Sequence, residues 1–327
     1  MSETEARLPF FAARDLTKHF PVRGGLLLRT DRRVRAVDGV SFEIQAGTTL
    51  GLVGESGCGK TTIARMILHL ERPSAGHIIF EGTDTVGLAR RDLREFRKRV
   101  QMIFQDPYSS LNPHRTIGQI VGEPFIVHRL CRRSEVRDRV AGMLELVNLP
   151  ASAMAKLPHE LSGGQRQRVG IARALALNPR LVVCDEPVSA LDVSIRSQIV
   201  NLLLALQKKL GLTYLFIAHD LSLVMHVSDH IAVMYLGKIV EAGPAAALAA
   251  RHLHPYTEAL LSAVPVPEPG AKKQRIILAG DVPSPLNPPS GCRFRTRCPL
   301  AVDVCAKVEP PLKETSPGHA VACHLRG

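Results

Sequence analysis

Three short strings in this chain carry the residue types that handle phosphate. The first runs Gly54-Glu55-Ser56-Gly57-Cys58-Gly59-Lys60-Thr61, followed directly by Thr62. Glycines at this spacing let backbone N–H groups converge on phosphate oxygens, and a helix starting at their end adds its positive pole. Lys60 has the charge to hold β- and γ-phosphates, and the Thr61 hydroxyl suits Mg²⁺. The second string, Leu181-Val182-Val183-Cys184-Asp185-Glu186, is an apolar run ending in two acids. A buried strand of this kind carries Asp185 to the Mg²⁺ shell and leaves Glu186 to orient or deprotonate an attacking water. The third is Leu161-Ser162-Gly163-Gly164-Gln165. Ser162 suits a helix N-cap, and the two glycines permit close backbone approach to an anion. One γ-phosphate hardly needs two such cradles from one subunit, so the third string is expected to serve a nucleotide bound to another copy.

These residues need elements to hold them. Thr48–Val53 reads as a compact strand entering the first loop, and Thr61–Leu70 as the helix leaving it. That order begins a parallel α/β sheet. Leu181–Cys184 and Tyr214–Ala218 are further buried strands, preceded by amphipathic helices over Gln165–Leu177 and Ile195–Leu210. Phe10–Leu16 and Ala36–Ile44 are β-prone, with a basic insert, residues 23–35, between them. That insert reads as a solvated loop or a contact for lipid headgroups or a partner. Residues 90–99 and 129–139 are basic, helix-like charge runs. Twelve of the 23 prolines lie at or beyond Pro255, and helical periodicity fades there. The predicted organisation is a motor domain over 10–250 and a loop-rich appendage over 251–327.

With its Gly-rich loop before it and its acidic strand after it, the string Leu161–Gln165 resembles the signature of ABC-family nucleotide-binding domains. The resemblance covers about residues 10–250 and implies a P-loop NTPase fold: a RecA-like α/β core, an antiparallel β subdomain and a helical subdomain. It also implies roles for single residues. Gln105 matches the Q-loop glutamine, at Mg²⁺ or the water; Ser189-Ala190-Leu191-Asp192 matches the D-loop at a dimer interface. His219 matches the switch histidine at the γ-phosphate, and Phe20 is the candidate for stacking on adenine. Mg²⁺ would be held through Thr61, Gln105 and Asp185. No motif is degenerate, so hydrolysis of ATP in a head-to-tail dimer is expected.

Three further strings resemble the ATPase subunits of dipeptide and oligopeptide importers, a group that includes nickel and glutathione systems. They are Asp106-Pro107-Tyr108-Ser109-Ser110-Leu111-Asn112-Pro113, Pro158-His159-Glu160 and His254-Pro255-Tyr256-Thr257. The first lies where the family docks a coupling helix of the permease. The implied partners are two transmembrane permease subunits, a paralogous ATPase or a second copy of this chain, and indirectly an extracytoplasmic substrate-binding protein.

Cys292, Cys298, Cys305 and Cys323 crowd the tail, separated by five, six and seventeen residues. Four thiolates on a segment with little core of its own read as a metal clip. The short Cys-x-x-Cys pairs usual for structural zinc are missing. The resemblance implies a [4Fe–4S] cluster, which four cysteines suit; zinc and no metal stay as alternatives, with His319 and His324 either substitute ligands or bystanders.

The whole-chain balance is +12 over 327 residues, with 45% apolar residues and no Trp. That charge fits nucleic acid or an anionic membrane surface. Scarce aromatics leave little stacking surface for single strands, and one motif set argues against the soluble, two-set proteins that act on nucleic acid or ribosomes. The absence of a fused membrane domain argues against an exporter motor. No uncharged apolar run approaches the roughly 18 residues of a membrane span, and no secretory signal is visible. The expected place is therefore the cytoplasmic face of the plasma membrane, reached through a partner.

Overall fold

The computed structural model describes residues 9–22, 32–263 and 276–326. The chain divides into two compact units, residues 1–87 with 218–327 and residues 88–217.

The first unit opens with β1 (Phe11–Pro21) and β2 (Arg33–Ile44), paired antiparallel with Phe11 opposite Ile44 and Phe20 opposite Val34. Phe11, Leu16, Val40 and Ile44 are buried, and that apolar set fixes the register because a slip of one residue would turn it outward. Of the basic insert, residues 23–31 lie outside the described residues. Arg33, Val34 and Arg35 belong to β2, so the strand begins before the expected Ala36.

Next come β3 (Thr49–Val53), buried at every position, and α1 (Lys60–Ile67), with the Gly-rich loop between them. β4 (Ala75–Phe80) and β5 (Thr83–Asp84) then complete an antiparallel sheet in the order β2-β1-β4-β5.

The second unit is mostly helical. It contains α2 (Arg90–Arg99), β6 (Val100–Ile103), α3 (Pro107–Ser110), α4 (Ile117–Val127) and α5 (Val136–Leu146). α6 (Gly163–Leu175), β7 (Leu181–Asp185), α7 (Val193–Leu210) and β8 (Thr213–Ala218) follow. The charge run 90–99 is the helix α2, as expected. The run 129–139 is not one helix. It passes through a turn and a single 3₁₀ turn at Arg133–Glu135 before α5 begins. β6, β7 and β8 run parallel, with Ile103 beside Cys184 and Asp185 beside Ile217. α7 stops at Gly211 (φ 64°), after Lys208 and Lys209 in its last turn, where left-handed backbone and positive charge both suit a helix C-terminus.

The chain returns to the first unit through α8 (Leu221–Val227), β9 (His230–Tyr235), β10 (Lys238–Pro244), α9 (Ala245–Ala250) and α10 (Pro255–Ser262). β9 lies parallel to β3, and β10 pairs back on β9. The tail supplies α11 (Asp303–Lys307), β11 (Lys313–Ser316) and β12 (His319–Val321). β12 pairs with β10 at Glu241↔Val321, so the tail extends the motor's sheet beyond the composition change near 251.

Candidate nucleotide site

In the first unit the Gly-rich loop takes its shape from glycines and from its neighbours. Gly59 caps α1 at φ 112°, and a Cβ there would sit 2.2 Å from the Ala36 carbonyl oxygen. Only glycine satisfies both the left-handed backbone and that contact. Lys60 is buried, and its ammonium donates to the Gly54 carbonyl (2.7 Å) and the Glu55 carbonyl (3.0 Å). The charge is thus held inside its own loop, which suits a phosphate ligand better than bulk water would. The Gly237 N–H, in the turn between β9 and β10, donates to the Cys58 carbonyl (2.9 Å). Burial pushes the Cys58 thiol above its ordinary pKa, with the nearby Lys60 charge opposing. Ser56 and Gly57 are exposed at the mouth, and Thr61 and Thr62 are half-buried at the start of α1. Phe20 is half-buried on β1 with the Lys18 ammonium 4.9 Å from its ring centroid. His219 is exposed just after β8.

Two further contacts reach this loop. The Glu55 N–H donates to the Tyr256 hydroxyl (2.9 Å), and the Glu55 carboxylate accepts from Arg297 (2.8 Å). Tyr256 stands in the His254–Thr257 string, and nothing in the sequence assigns it to the loop. Arg297 is one of several tail arginines and carried no signal at all.

In the second unit Asp185 ends β7 and is buried. Glu186 follows in left-handed backbone (φ 46°), a costly conformation for a non-glycine residue and one that turns its side chain off the strand. Its N–H donates to the Ile217 carbonyl (2.9 Å), and its carbonyl accepts from the N–H and hydroxyl of Ser189. The Gln105 amide donates to the Glu186 carboxylate (3.1 Å). Two residues 81 positions apart, picked from separate motifs, therefore meet.

Ser162 and Gln165 form a capping box at the head of α6. The Ser162 hydroxyl accepts from the Gln165 N–H (3.3 Å), and the Gln165 side chain accepts from the Ser162 N–H (3.0 Å). The N–H groups of Gly163 and Gly164 sit in the first turn, where helix geometry leaves donors directed out of the helix end. A Cβ on Gly164 would meet Ile195 at 2.5 Å, so α7 backs directly onto this turn. Leu161 is buried behind it. Asp192 is the N-cap position of α7, and its carbonyl accepts from the Arg196 N–H (2.8 Å).

Two arginines of α6 grip neighbouring strings. Arg166 is buried, donates to the carbonyls of Pro158 (2.6 Å) and His159 (3.3 Å), and lies 4.0 Å over the Tyr108 ring. Arg173 donates to the Ser110 carbonyl (2.7 Å). The post-Gln105 segment is therefore fastened to the helix that begins at the signature.

Cys292, Cys298, Cys305 and Cys323 lie near one another. Burial raises the Cys292 thiol to about 11, and the charges of Cys305, Cys298 and Cys323 add to that rise. Among the described residues, no three His, Cys, Asp or Glu side chains are placed to hold a metal ion. His319 is committed elsewhere, bonded to the buried Glu241 carboxylate at 2.8 Å, and His324 meets the Val308 carbonyl at 2.9 Å.

A buried strand, a glycine-shaped loop enclosing its lysine, and a parallel strand ending in a paired acid define a P-loop ATPase. Residues 37–189 match the ABC transporter family, and residues 240–305 match the family described as "Oligopeptide/dipeptide transporter, C-terminal region". The chain is 52% identical over 315 residues to the oligopeptide transport ATP-binding protein AppF of Bacillus subtilis, covering 95% of this chain and 96% of that one. It is also 52% identical to a probable peptide ABC transporter ATP-binding protein, y4tS, of Sinorhizobium fredii, covering 95% and 88%. Among solved structures it resembles cbiO1 of Clostridium perfringens, part of the ABC transporter complex cbiONQ (27% identity, TM-score 0.64, covering 74% and 91%). It also resembles a dimeric ATP-binding cassette bound to ADP and Pi (27% identity, TM-score 0.63, covering 72% and 98%). The chain belongs to the ABC transporter ATP-binding subunits of the dipeptide/oligopeptide importer family, and it is an ABC-type ATPase.

Proposed function

We propose that this chain powers the uptake of dipeptides or oligopeptides by hydrolysing ATP in a head-to-tail dimer beneath two permease subunits. Residues 54–62 bind the nucleotide, with Lys60 on the β- and γ-phosphates and Phe20 against the adenine. Thr61, Gln105 and Asp185 would hold Mg²⁺, which would supply charge neutralisation at the phosphates. Glu186 takes the proton of the attacking water, Gln105 orients that carboxylate, and His219 contacts the γ-phosphate. Leu161–Gln165 with Ser189 and Asp192 complete the site of a second subunit, either another copy or a paralogue. The relatives named for peptide transport support the cargo class. The solved cassette described as dimeric supports assembly as a dimer.

The observation that carries the hydrolytic reading is the Gln105–Glu186 hydrogen bond. Among the described residues no helix is long and apolar enough to cross a membrane; attachment at the cytoplasmic face runs through the permease in this proposal. The Asp106–Pro113 segment, gripped by Arg166 and Arg173, is the docking surface for it. The four tail cysteines hold a [4Fe–4S] cluster in this proposal. The number and chemistry of those four thiol donors support it.

The test of the motor is Glu186→Gln, which retains ATP binding, accumulates as a dimer with ATP and loses turnover. Hydrolysis at the unaltered rate would overturn the assignment. For the tail, protein purified without air should be brown and contain iron, and Cys298→Ser should lose both. Iron and colour unchanged in that variant would remove the cluster.

A further inference from the structure

Glu55 is the only carboxylate within the loop Gly54–Lys60, and a carboxylate opposes a polyphosphate ligand at the same loop. The protein pins it on every side. Its N–H donates to the Tyr256 hydroxyl (2.9 Å), and its carbonyl accepts from the Cys58 N–H (3.3 Å) and the Lys60 ammonium (3.0 Å). Its carboxylate is paired with the Arg297 guanidinium (2.8 Å). The Arg297 side chain is 9% exposed and that of Glu55 29%, so the pair is poorly screened by solvent.

Both partners come from the C-terminal region and are held there by packing. Tyr256 is fully buried, with its ring 4.8 Å from Tyr235 and 5.4 Å from Phe294, centroid to centroid. Phe294 lies three residues before Arg297, between Cys292 and Cys298. The nearby Arg293 pairs with Asp38 on β2 and donates to the Leu236 carbonyl (2.5 Å), which anchors the same segment again. An aromatic plug and two arginines thus fasten the cysteine-rich segment to the strand, turn and loop that shape the phosphate cradle.

We infer that Arg297 and Tyr256 are positioning residues of the nucleotide site: Arg297 neutralises and holds the Glu55 carboxylate, and Tyr256 fixes the Glu55 N–H, so that the tail sets the affinity of the loop for ATP. This rests on residues 54–62 being the ATP loop. Removing Arg297 leaves an unpaired carboxylate in the cradle. Removing the Tyr256 hydroxyl leaves a loop N–H without its acceptor and frees the carbonyl that helps park Lys60. Both changes weaken ground-state binding and leave the acid pair at the end of β7 untouched, so KM rises while kcat at saturating ATP stays.

The experiment measures binding of a fluorescent ATP analogue and steady-state hydrolysis on the full-length chain. Arg297→Ala should weaken binding about tenfold, the scale of one poorly screened charge. Tyr256→Phe, which keeps the ring, should weaken it about fivefold, the scale of one hydrogen bond. The decisive variant is Glu55→Gln/Arg297→Ala, which removes the stranded charge and should recover affinity to within about threefold of the parent, as expected for a coupled pair. Arg297→Lys should stay near the parent, and Arg295→Ala, whose partner is Ser290 in the tail, should not change affinity. The inference is overturned if the double variant binds no better than Arg297→Ala, if Arg297→Ala binds like the parent, or if Arg295→Ala is equally impaired. Should Arg297→Ala lose its helical circular dichroism, Arg297→Gln takes its place, with the same outcomes. Lys60→Ala is the separate control: binding at parental affinity there would show that the loop is not the ATP site.

Discussion

The two glycine-bearing segments proposed here as anion cradles are built on opposite principles. The loop at Gly54–Thr61 is made by tertiary structure. Its backbone bonds to the β9–β10 turn and to Tyr256, its glutamate to Arg297, and its lysine is buried within it. The signature at Leu161–Gln165 is made locally. Its capping box joins residues three apart, and Ser162 and Gln165 are exposed. A cradle that encloses its own ligand needs walls, and walls come from distant chain. In the proposed dimer, a cradle that serves another subunit's ligand must stay open, so it is limited to what a helix terminus supplies by itself.

Substitutions that add a single methyl should separate the two most sharply. Gly59→Ala strains a backbone at φ 112° and drives a Cβ against the Ala36 carbonyl. It should abolish detectable ATP-analogue binding and cost about 3 kcal/mol in denaturant unfolding. Gly164→Ala meets the Cγ2 methyl of Ile195, a side chain rather than backbone. Its cost should be about 1 kcal/mol, with nucleotide binding intact and turnover down about a hundredfold, because in the proposed dimer an added methyl blocks close approach of the second subunit's phosphate. Equal loss of binding in both variants would erase the distinction.

Acid should sharpen the comparison next, because only the loop cradle leans on a buried histidine. His254 caps α10 by accepting the Tyr256 N–H at Nδ1 (3.1 Å). Burial, with Arg326 adding to it, lowers its pKa to about 3. The unfolded chain takes up that proton below about 6.5 while the native chain refuses it until about 3, so stability is fully present above 6.5 and is lost as pH falls through the window. The loss at pH 5 should reach about 2 kcal/mol, read as a falling Tm between pH 7 and pH 5. His254→Asn, which keeps a capping acceptor and cannot titrate, should flatten that slope. The smallest effect belongs to Ser162→Ala, which should cost about 1 kcal/mol of stability as a lost N-cap and leave the pH slope unchanged.

Much of this machinery was legible in residue order. The strand–loop–helix around Lys60, the buried strand ending at Asp185 and the cap at Ser162 are short-range features, and periodicity with turn chemistry reports such features directly. The 129–139 run shows the limit: charge spacing resembled a helix, while the chain spends those residues on a turn and a 3₁₀ turn before α5. The hydrogen bond between Gln105 and Glu186 was not among the expectations, which put Gln105 at Mg²⁺ or the water, because an 81-residue separation leaves no trace in spacing.

By itself the sequence determined what chemistry is carried and where each local cradle begins, because glycine, capping residues and an apolar run ending in acids act on their immediate neighbours. Tertiary structure alone decided that β12 extends the motor's sheet and that Tyr256 and Arg297 close on Glu55. The two contacts to Glu55 span more than 200 residues of chain, and they follow from packing around Phe294 and Tyr235 that no local pattern encodes.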